Sequence, residues 1–455
     1  MRTVWMLVFG AVAVVTTVFV VISGPSLAVA AAVVCLVGWW LVPRSLAVPL
    51  AAAIVIGLML VFPVQYLSEY GALSRAVLLA APTVTALGLF RGGRSPRTNS
   101  KKILISAAAF AAVLTISTLA HVRIADLSLL WATLVPALCV ALLLAAASER
   151  GIRFVEQSVV VLACAESIYA IAETSLRFAP LWTAAATGRE SQILPGLIRA
   201  QGTLGHPLPL ALLLVTAISL LLSRRHINPL PVTVVGILLL LGGLIATGSR
   251  SALAVVAILL AVSVGRRVWS IATIAGIAGS VSVAALAAGG FFGSATWINF
   301  VEGDSLSHRD GALAAVPRLV TDQDFASIVL GNGYFSAPSL FARGLLQQGS
   351  FFAIDNQFVT TLVEAGFVGV IALITLCVVL WMTESRYRIL VFAIVAFFLS
   401  FDLLSWPSAA TLFTMTIMFV ASQEDPNRAN LPKTRSREGA GSPPPREIAM
   451  TPSAR

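Results

Sequence analysis

The chain has 455 residues, of which 58% are hydrophobic and only 11% charged, and its mean hydropathy is +0.93. About a quarter of the residues of an ordinary soluble domain are charged, so this composition excludes that class and places most of the chain in lipid. The formal net charge of +10 would suggest a nucleic-acid partner in a soluble protein, but here its distribution assigns it to membrane topology.

Apolar runs able, or nearly able, to cross ~30 Å of hydrocarbon as a helix recur from end to end. They give about fourteen candidate spans (12–14), near residues 4–22, 27–42, 46–62, 73–90, 103–120, 127–147, 155–172, 207–222, 231–247, 251–264, 269–291, 357–381, 389–403 and 407–422. The first run, VWMLVFGAVAVVTTVFVVI, is followed at once by another starting at Leu27, with no clear small-residue cleavage site. It reads as a retained helix rather than a signal peptide. The expected fold class is therefore all-α: a polytopic transmembrane domain over residues 1–422, with a large connection between the eleventh and twelfth spans. Cys35, Cys139, Cys164 and Cys377 all fall inside apolar runs, where cysteine behaves as a small hydrophobe, so no disulfide framework or metal site follows from them.

Lys and Arg near helix ends accumulate on the cytoplasmic side. With Arg2 inside and the spans alternating, 21 of the 30 cations fall in cytoplasmic connections or in the tail, and both termini are cytoplasmic. The other nine are Arg75, Arg123, Arg177, Arg189, Arg199, Arg250, Arg309, Arg318 and Arg343. They lie on the outer side against this bias, most of them in or beside two long outer connections, residues 173–206 and 292–356. Long connections in a chain whose other connections are short are where function concentrates. The tail, residues 423–455, is rich in Pro, Ser and charge and is expected to be disordered and cytoplasmic.

Four constellations stand out. In IRAQGTLGHPLPLALLL, residues 198–214, Arg199 offers a planar five-donor fork suited to phosphate, while Gly202 and Gly205 permit close backbone approach. The plainer alternative is a snorkelling arginine followed by a loop that becomes helix at Pro207. In ATGSRSALAVV, residues 246–256, Arg250 occupies a tight outer turn, and Ser249 or Ser251 is placed to cap the next helix, whose N-terminus favours an anion. The alternative is contact with lipid headgroups.

SLSHRDGALAAVPRLV, residues 305–320, has the apolar spacing of a short amphipathic helix, with His308, Arg309 and Asp310 near its start. VLGNGYF follows as a glycine turn. Finally, AIDNQFVTTLVEAGFVGV, residues 353–370, puts Asp355 and Asn356 at the mouth of a span, where Asp355 reads as either an N-cap or a functional acid. On a continuous helix at 100° per residue, Gly366 lies below Asp355 with Glu364 on the opposite face, and Gly366 and Gly369 allow close packing. His206 and His308 have no second ligand at a metal spacing, and Glu166, in mid-span, is expected to have a structural partner.

In this order the elements resemble the O-antigen ligase and polymerase superfamily of bacterial envelope glycosyltransferases. The likeness covers residues 195–385: Arg199 and Gly202 entering a span, Ser249 and Arg250 at an outer turn, Arg309 in a large outer loop, Gly331 and Gly333, then Asp355 and Asn356 followed by Glu364 and Gly366. The resemblance implies a GT-C-like fold in the cytoplasmic membrane and a polyprenyl-diphosphate-linked oligosaccharide donor used on the outer face. It further implies that Arg199 and Arg250 bind the diphosphate, that Arg309 helps hold donor or acceptor, and that Asp355 is the general base. Gly202, His206, Ser249, His308, Asn356, Glu364 and Gly366 would support them.

Ligases of this superfamily typically carry histidine where this chain has Asp355, and an asparagine after His-Pro where this chain has Leu208. Polymerase-like members are more permissive at both places, so polymerisation is the first expectation. Transfer of a finished glycan to a lipid or cell-wall acceptor is the second. Arginines can take over the electrostatic role of a metal, so no cofactor is expected. A transporter of anionic or lipid-linked substrates is the alternative from another class; it would place its polar groups near mid-bilayer.

Overall fold

The computed structural model describes residues 38–62, 64, 71–92, 101–121, 124–182, 191, 196–223, 229–265, 304–347, 353–383 and 385–423, with the side chains of 71–72, 124–126, 262–265 and 304–310 also outside the description. Among these residues every regular element is helical. The order is α1 (Arg44–Val61), α2 (Gly71–Gly92), α3 (Lys101–Ala120), α4 (Ile124–Ala146), α5 (Glu149–Leu176), α6 (Pro207–Ser223), α7 (Leu230–Ala246), α8 (Arg250–Gly265), α9 (Asp304–Thr321), α10 (Phe325–Leu330), α11 (Ala337–Ala342), α12 (Gln357–Met382), α13 (Arg388–Phe398) and α14 (Pro407–Ala421).

Among the described residues six helices, α1 to α5 and α12, are long and apolar enough to cross a membrane. The shorter apolar helices α6, α7, α8 and α14 coincide with expected spans, and α13 with the first part of one. The chain is thus a helical membrane protein. The expected spans at 4–22, most of 27–42, and 269–291 lie outside the described residues, as does the tail beyond Gln423.

Two helices are buried on every side. From Pro207 to Leu222 almost every residue of α6 is buried, and the same is true of α14. A helix that is apolar all round belongs inside a bundle. The outer helices keep one face for lipid, as Leu79, Ile105, Trp131 and Val235 show. Without a water-driven hydrophobic force between helices in a bilayer, close packing and interhelical hydrogen bonds hold them together. Gly243 of α7 lies so near α5 that an added Cβ would sit 2.2 Å from Ser167 Oγ, and that hydroxyl donates to Leu239 O at 2.6 Å.

Three features differ from the sequence expectation. Helix α5 runs from Glu149 to Leu176, not 155–172, because Ser148 caps it by accepting the Gly151 N–H at 3.2 Å and Arg177 ends it with a left-handed φ of 54°. Glu173 is consequently a helix residue rather than the start of a loop. Helix α13 stops at Phe398, so the last part of the expected span 389–403 belongs to a connection in which Asp402 precedes a short 3-10 turn, Leu403–Ser405.

The third difference is in α12. The backbone at Gly366, with φ 62° and ψ −164°, breaks the helix into two runs, so rotation counted along a continuous helix does not apply across it. The cause lies in another part of the chain. The turn at Gly331 and Gly333 docks at the break, where Asn332 N donates to Val363 O at 2.9 Å and Gly333 N to Glu364 O at 3.0 Å. Ser117 of α3 donates to Glu364 O as well, at 2.6 Å. Every one of these donors satisfies a carbonyl freed by the interruption, which is how a broken helix is tolerated at membrane depth.

Helices α9 to α11 occupy the described part of the long connection before α12. Ala312, Ala315 and Leu319 of α9 and Leu340 and Phe341 of α11 pack with Ile354, Val359 and Val363 in a separate hydrophobic cluster, which fixes this segment on the first half of α12.

Candidate functional site

Arg199, His206, Ser249, Arg250 and Asp355 lie at or beside helix ends, in the connections before α6, between α7 and α8 and before α12. The first junction forms around residues 199–206, which lead into α6. Ala200 N donates to Ala246 O at 2.9 Å, so this segment is tied to the C-terminus of α7. Beside it the Arg199 guanidinium donates through Nε to Thr247 O at 2.9 Å. Gly248, with φ 63°, is packed against the same side chain: a Cβ there would lie 3.1 Å from Arg199 Cγ and 3.0 Å from Ser191 Oγ. Ser249 and Arg250 follow directly, Ser249 just before α8 and Arg250 as its first residue. The two arginine motifs, separated by about fifty residues in sequence, therefore belong to one joint. Both side chains are partly buried.

The segment after Arg199 is held by two acids of α5. Glu173 accepts the N–H of Gln201 at 3.1 Å and of Gly202 at 2.9 Å, and Glu166 accepts the Thr203 N–H at 3.0 Å together with the Thr203 hydroxyl. Seven residues apart, the two carboxylates share one helix face. Glu166 thus has the structural partner expected of it. Glu173 was not singled out in the sequence, although its spacing from Glu166 is a helical one. Gly202 is required by this arrangement, since a Cβ there would lie 2.6 Å from Glu166 Oε2.

The second junction surrounds Asp355. The N-cap of α12 is Asn356, not Asp355: Asn356 Oδ1 accepts the N–H groups of Phe358 at 2.9 Å and Val359 at 3.2 Å. Asp355 is thereby released from capping and stands outside the helix, partly exposed. The connection between α13 and α14 packs against it. Gln357 Oε1 accepts the Leu404 N–H at 2.7 Å, Trp406 Nε1 donates to Asp402 Oδ1 at 3.3 Å, and the His206 ring lies 4.8 Å from that of Trp406. Burial, and secondarily the neighbouring charge of Asp355, push the Asp402 carboxyl up to about 7. Asp402, Gln357 and Trp406 escaped the sequence reading because they sit inside or next to runs that look like uninterrupted spans.

Glu364 belongs to a third junction, between α12 and the glycine turn. Its Oε1 accepts the Phe335 N–H at 2.8 Å. Tyr334 is fully buried alongside, its N–H bonded to Thr118 Oγ1 at 3.0 Å and its hydroxyl to Leu404 O at 3.1 Å, so this joint is linked to the connection that carries Asp402. Burial, then the nearby charges of Glu364 and Asp402, raise the phenol well above its ordinary range. Glu364 and Gly366 are thus framework residues for the segment preceding Asp355.

His308 and Arg309 fall in the N-terminal part of α9, and their side chains lie outside the described residues. The 199–206 segment physically connects the other parts, from Arg199 on the α7–α8 turn to His206 on Trp406. No protein-family model matches the chain, and no curated protein matches it.

Proposed function

We propose that the protein is a membrane glycosyltransferase that takes a polyprenyl-diphosphate-linked oligosaccharide as donor on the outer face of the cytoplasmic membrane and polymerises surface or cell-wall glycan. The observation that carries this reading is the meeting of Arg199 with the Thr247–Arg250 turn, while Asp355, freed from capping by Asn356, stands at the next junction along the same segment. Guanidinium forks to bind a diphosphate and a carboxylate to take a proton are what transfer from a diphosphate requires.

In this mechanism the acceptor hydroxyl attacks C1 of the donor sugar as Asp355 takes its proton. The new C1–O bond forms as the C1–O bond to phosphate breaks, and the diphosphate leaves on its polyprenol with the bonding pair. Arg199 and Arg250 stabilise the charge that develops on it. Attack opposite the leaving group inverts the anomeric centre. The protein needs no metal for these steps.

The cations at helix ends away from these junctions support the assigned sidedness. Arg91 donates to Val42 O at 3.0 Å, and Arg386 pairs with Glu156 at 3.4 Å, both remote from Arg199 and Asp355 along their helices. The positive-inside rule then puts the arginine joint outside. The engagement of Glu166 and Glu173 with backbone N–H groups favours an enzyme over a transporter, because these membrane-embedded acids have a structural role.

The test is loss of function at normal expression. Arg199→Ala, Arg250→Ala and Asp355→Ala should each leave single, unpolymerised repeat units on the carrier lipid. Unchanged length and amount of surface polysaccharide in all three would reject the assignment. Long chains retained on the carrier would identify a ligase instead.

A further inference from the structure

We propose that Gln201 is a recognition residue for the donor sugar: its buried carboxamide oxygen accepts a hydrogen bond from a hydroxyl or acetamido N–H of the sugar joined to the diphosphate. This inference rests on the glycosyltransferase reading given above, and its test separates the two.

The observation is an acceptor without a donor. Gln201 is 2% exposed, and no hydrogen bond from the described residues reaches its Oε1. Gln357 and Asn356 show the contrast. Gln357, 1% exposed, accepts the Leu404 N–H through Oε1 at 2.7 Å and donates through Nε2 to Thr361 Oγ1 at 3.1 Å. Asn356 Oδ1 accepts two backbone N–H groups. Buried polar atoms are almost always bonded, and one left unbonded lowers stability.

The fold does not use this side chain. The segment is fixed through its backbone: Ala200 N donates to Ala246 O at 2.9 Å, the N–H groups of Gln201 and Gly202 bond to Glu173, and that of Thr203 bonds to Glu166. Each of these bonds is compatible with an apolar residue at position 201. A methionine or leucine would fill much the same space without an unmet acceptor, so the carboxamide is explained by a partner from outside the chain.

Its place says which partner. Gln201 follows Arg199 by two residues, at most about 7 Å of chain. Ala200, between them, is tied to the end of α7, so neither can drift from the turn that carries Ser249 and Arg250. A diphosphate presents acceptor oxygens, which guanidinium groups complement and an amide oxygen does not. The amide oxygen suits the next group of a glycosyl diphosphate, the sugar, whose hydroxyl and acetamido groups are donors. A site built to hydrogen-bond such a group rejects a ligand that lacks it, because the buried acceptor is then left unpaired.

The experiment measures binding to the full chain in nanodiscs of two probes, a polyprenyl diphosphate carrying one N-acetylhexosamine and the same lipid without sugar. The ratio of the two affinities is the readout. The unchanged protein should prefer the sugar-bearing lipid. Gln201→Met, close in size but without the acceptor, should reduce that preference roughly tenfold, the loss of one enclosed hydrogen bond, and bind the sugar-free lipid as before. Its Tm should equal or exceed that of the unchanged protein, since no buried acceptor is left unmet. Gln201→Glu keeps an acceptor oxygen at the same reach, so its charge should weaken both probes together and preserve the ratio. Should Gln201→Met fail to fold, the ratio in Gln201→Glu still decides.

A ratio unchanged in Gln201→Met, the outcome if a bound water alone serves Oε1, would overturn the proposal. So would a lowered Tm with equal losses for both probes, the mark of a purely structural residue, or a ratio lost in Gln201→Glu. An unchanged protein that binds neither probe would overturn the glycosyltransferase reading together with this inference, whereas one that binds both probes equally would overturn the inference alone.

Discussion

Gly331 and Gly366 are in backbone contact across the break in α12: a Cβ on Gly366 would lie 2.5 Å from Gly331 N, and one on Gly331 would lie 2.3 Å from Ala365 N. Both residues have positive φ with extended ψ, at 80° and −168° for Gly331 and 62° and −164° for Gly366, a region open almost only to glycine. The joint that sets Glu364, and beyond it the residues leading to Asp355, exists only because neither position has a side chain.

Replacing either glycine by alanine should lower stability by about 1–3 kcal/mol from backbone strain, with a further loss from the clash. The paired substitution should cost less than the sum of the single ones, since both damage the same contact. Thermal unfolding in detergent of Gly331→Ala, Gly366→Ala and the double variant measures this directly.

Removing an acid beneath the 199–206 segment should loosen it. Glu173→Ala leaves the N–H groups of Gln201 and Gly202 without their acceptor, at a cost of about 1–3 kcal/mol. Hydrogen exchange at residues 201–203 should accelerate in this variant and in Glu166→Ala, while exchange in the middle of α6 stays slow.

Arginine at 199 should be irreplaceable by lysine. Nε donates to Thr247 O, and a lysine cannot keep that bond and also present a planar fork to a ligand. Arg199→Lys should keep the fold yet lower transfer by roughly 10²–10³, the range lost with a preorganised anion-stabilising donor. The rate of sugar transfer from a lipid-diphosphate donor is the measurement. Adding a chelator to the same assay should leave the rate unchanged.

Asp402 should also leave a trace in stability. Its folded proton affinity is raised to about 7, whereas an unfolded aspartate titrates near ~3.9. Between these values the folded state binds more protons, so stability is highest below the lower one and declines as pH rises through the window. The apparent Tm should fall over this range and flatten in Asp402→Asn.

Most of the helical framework was legible in the sequence because hydropathy places spans: only helices and closed barrels satisfy the backbone in lipid, and continuous apolar runs of this length form helices. The ranges of α1, α2, α6, α7 and α12 agree with their apolar runs to within two residues. The arginine motifs were legible for a related reason. A cation at an apolar boundary is costly, so Arg199 and Arg250 stand out wherever they occur.

The rest depended on neighbours distant in sequence. Asp402 lay in an apolar window that reads as one continuous span; only the early end of α13 turns it into a connection beside Asp355. Asp355 is the candidate cap in the sequence, but the bonds to Phe358 and Val359 show that the cap is Asn356. Gly366 reads as a packing glycine until the Gly331 turn presses on it.

The amino-acid sequence by itself determined that this chain enters a bilayer as helices and which few charged groups it holds there, because hydrophobic transfer depends on composition along short windows. Which of those groups meet was decided only by tertiary structure: a hydrogen bond from residue 199 to 247 or from 404 to 357 has no local signal, and each becomes possible only when the helices that carry its ends are packed.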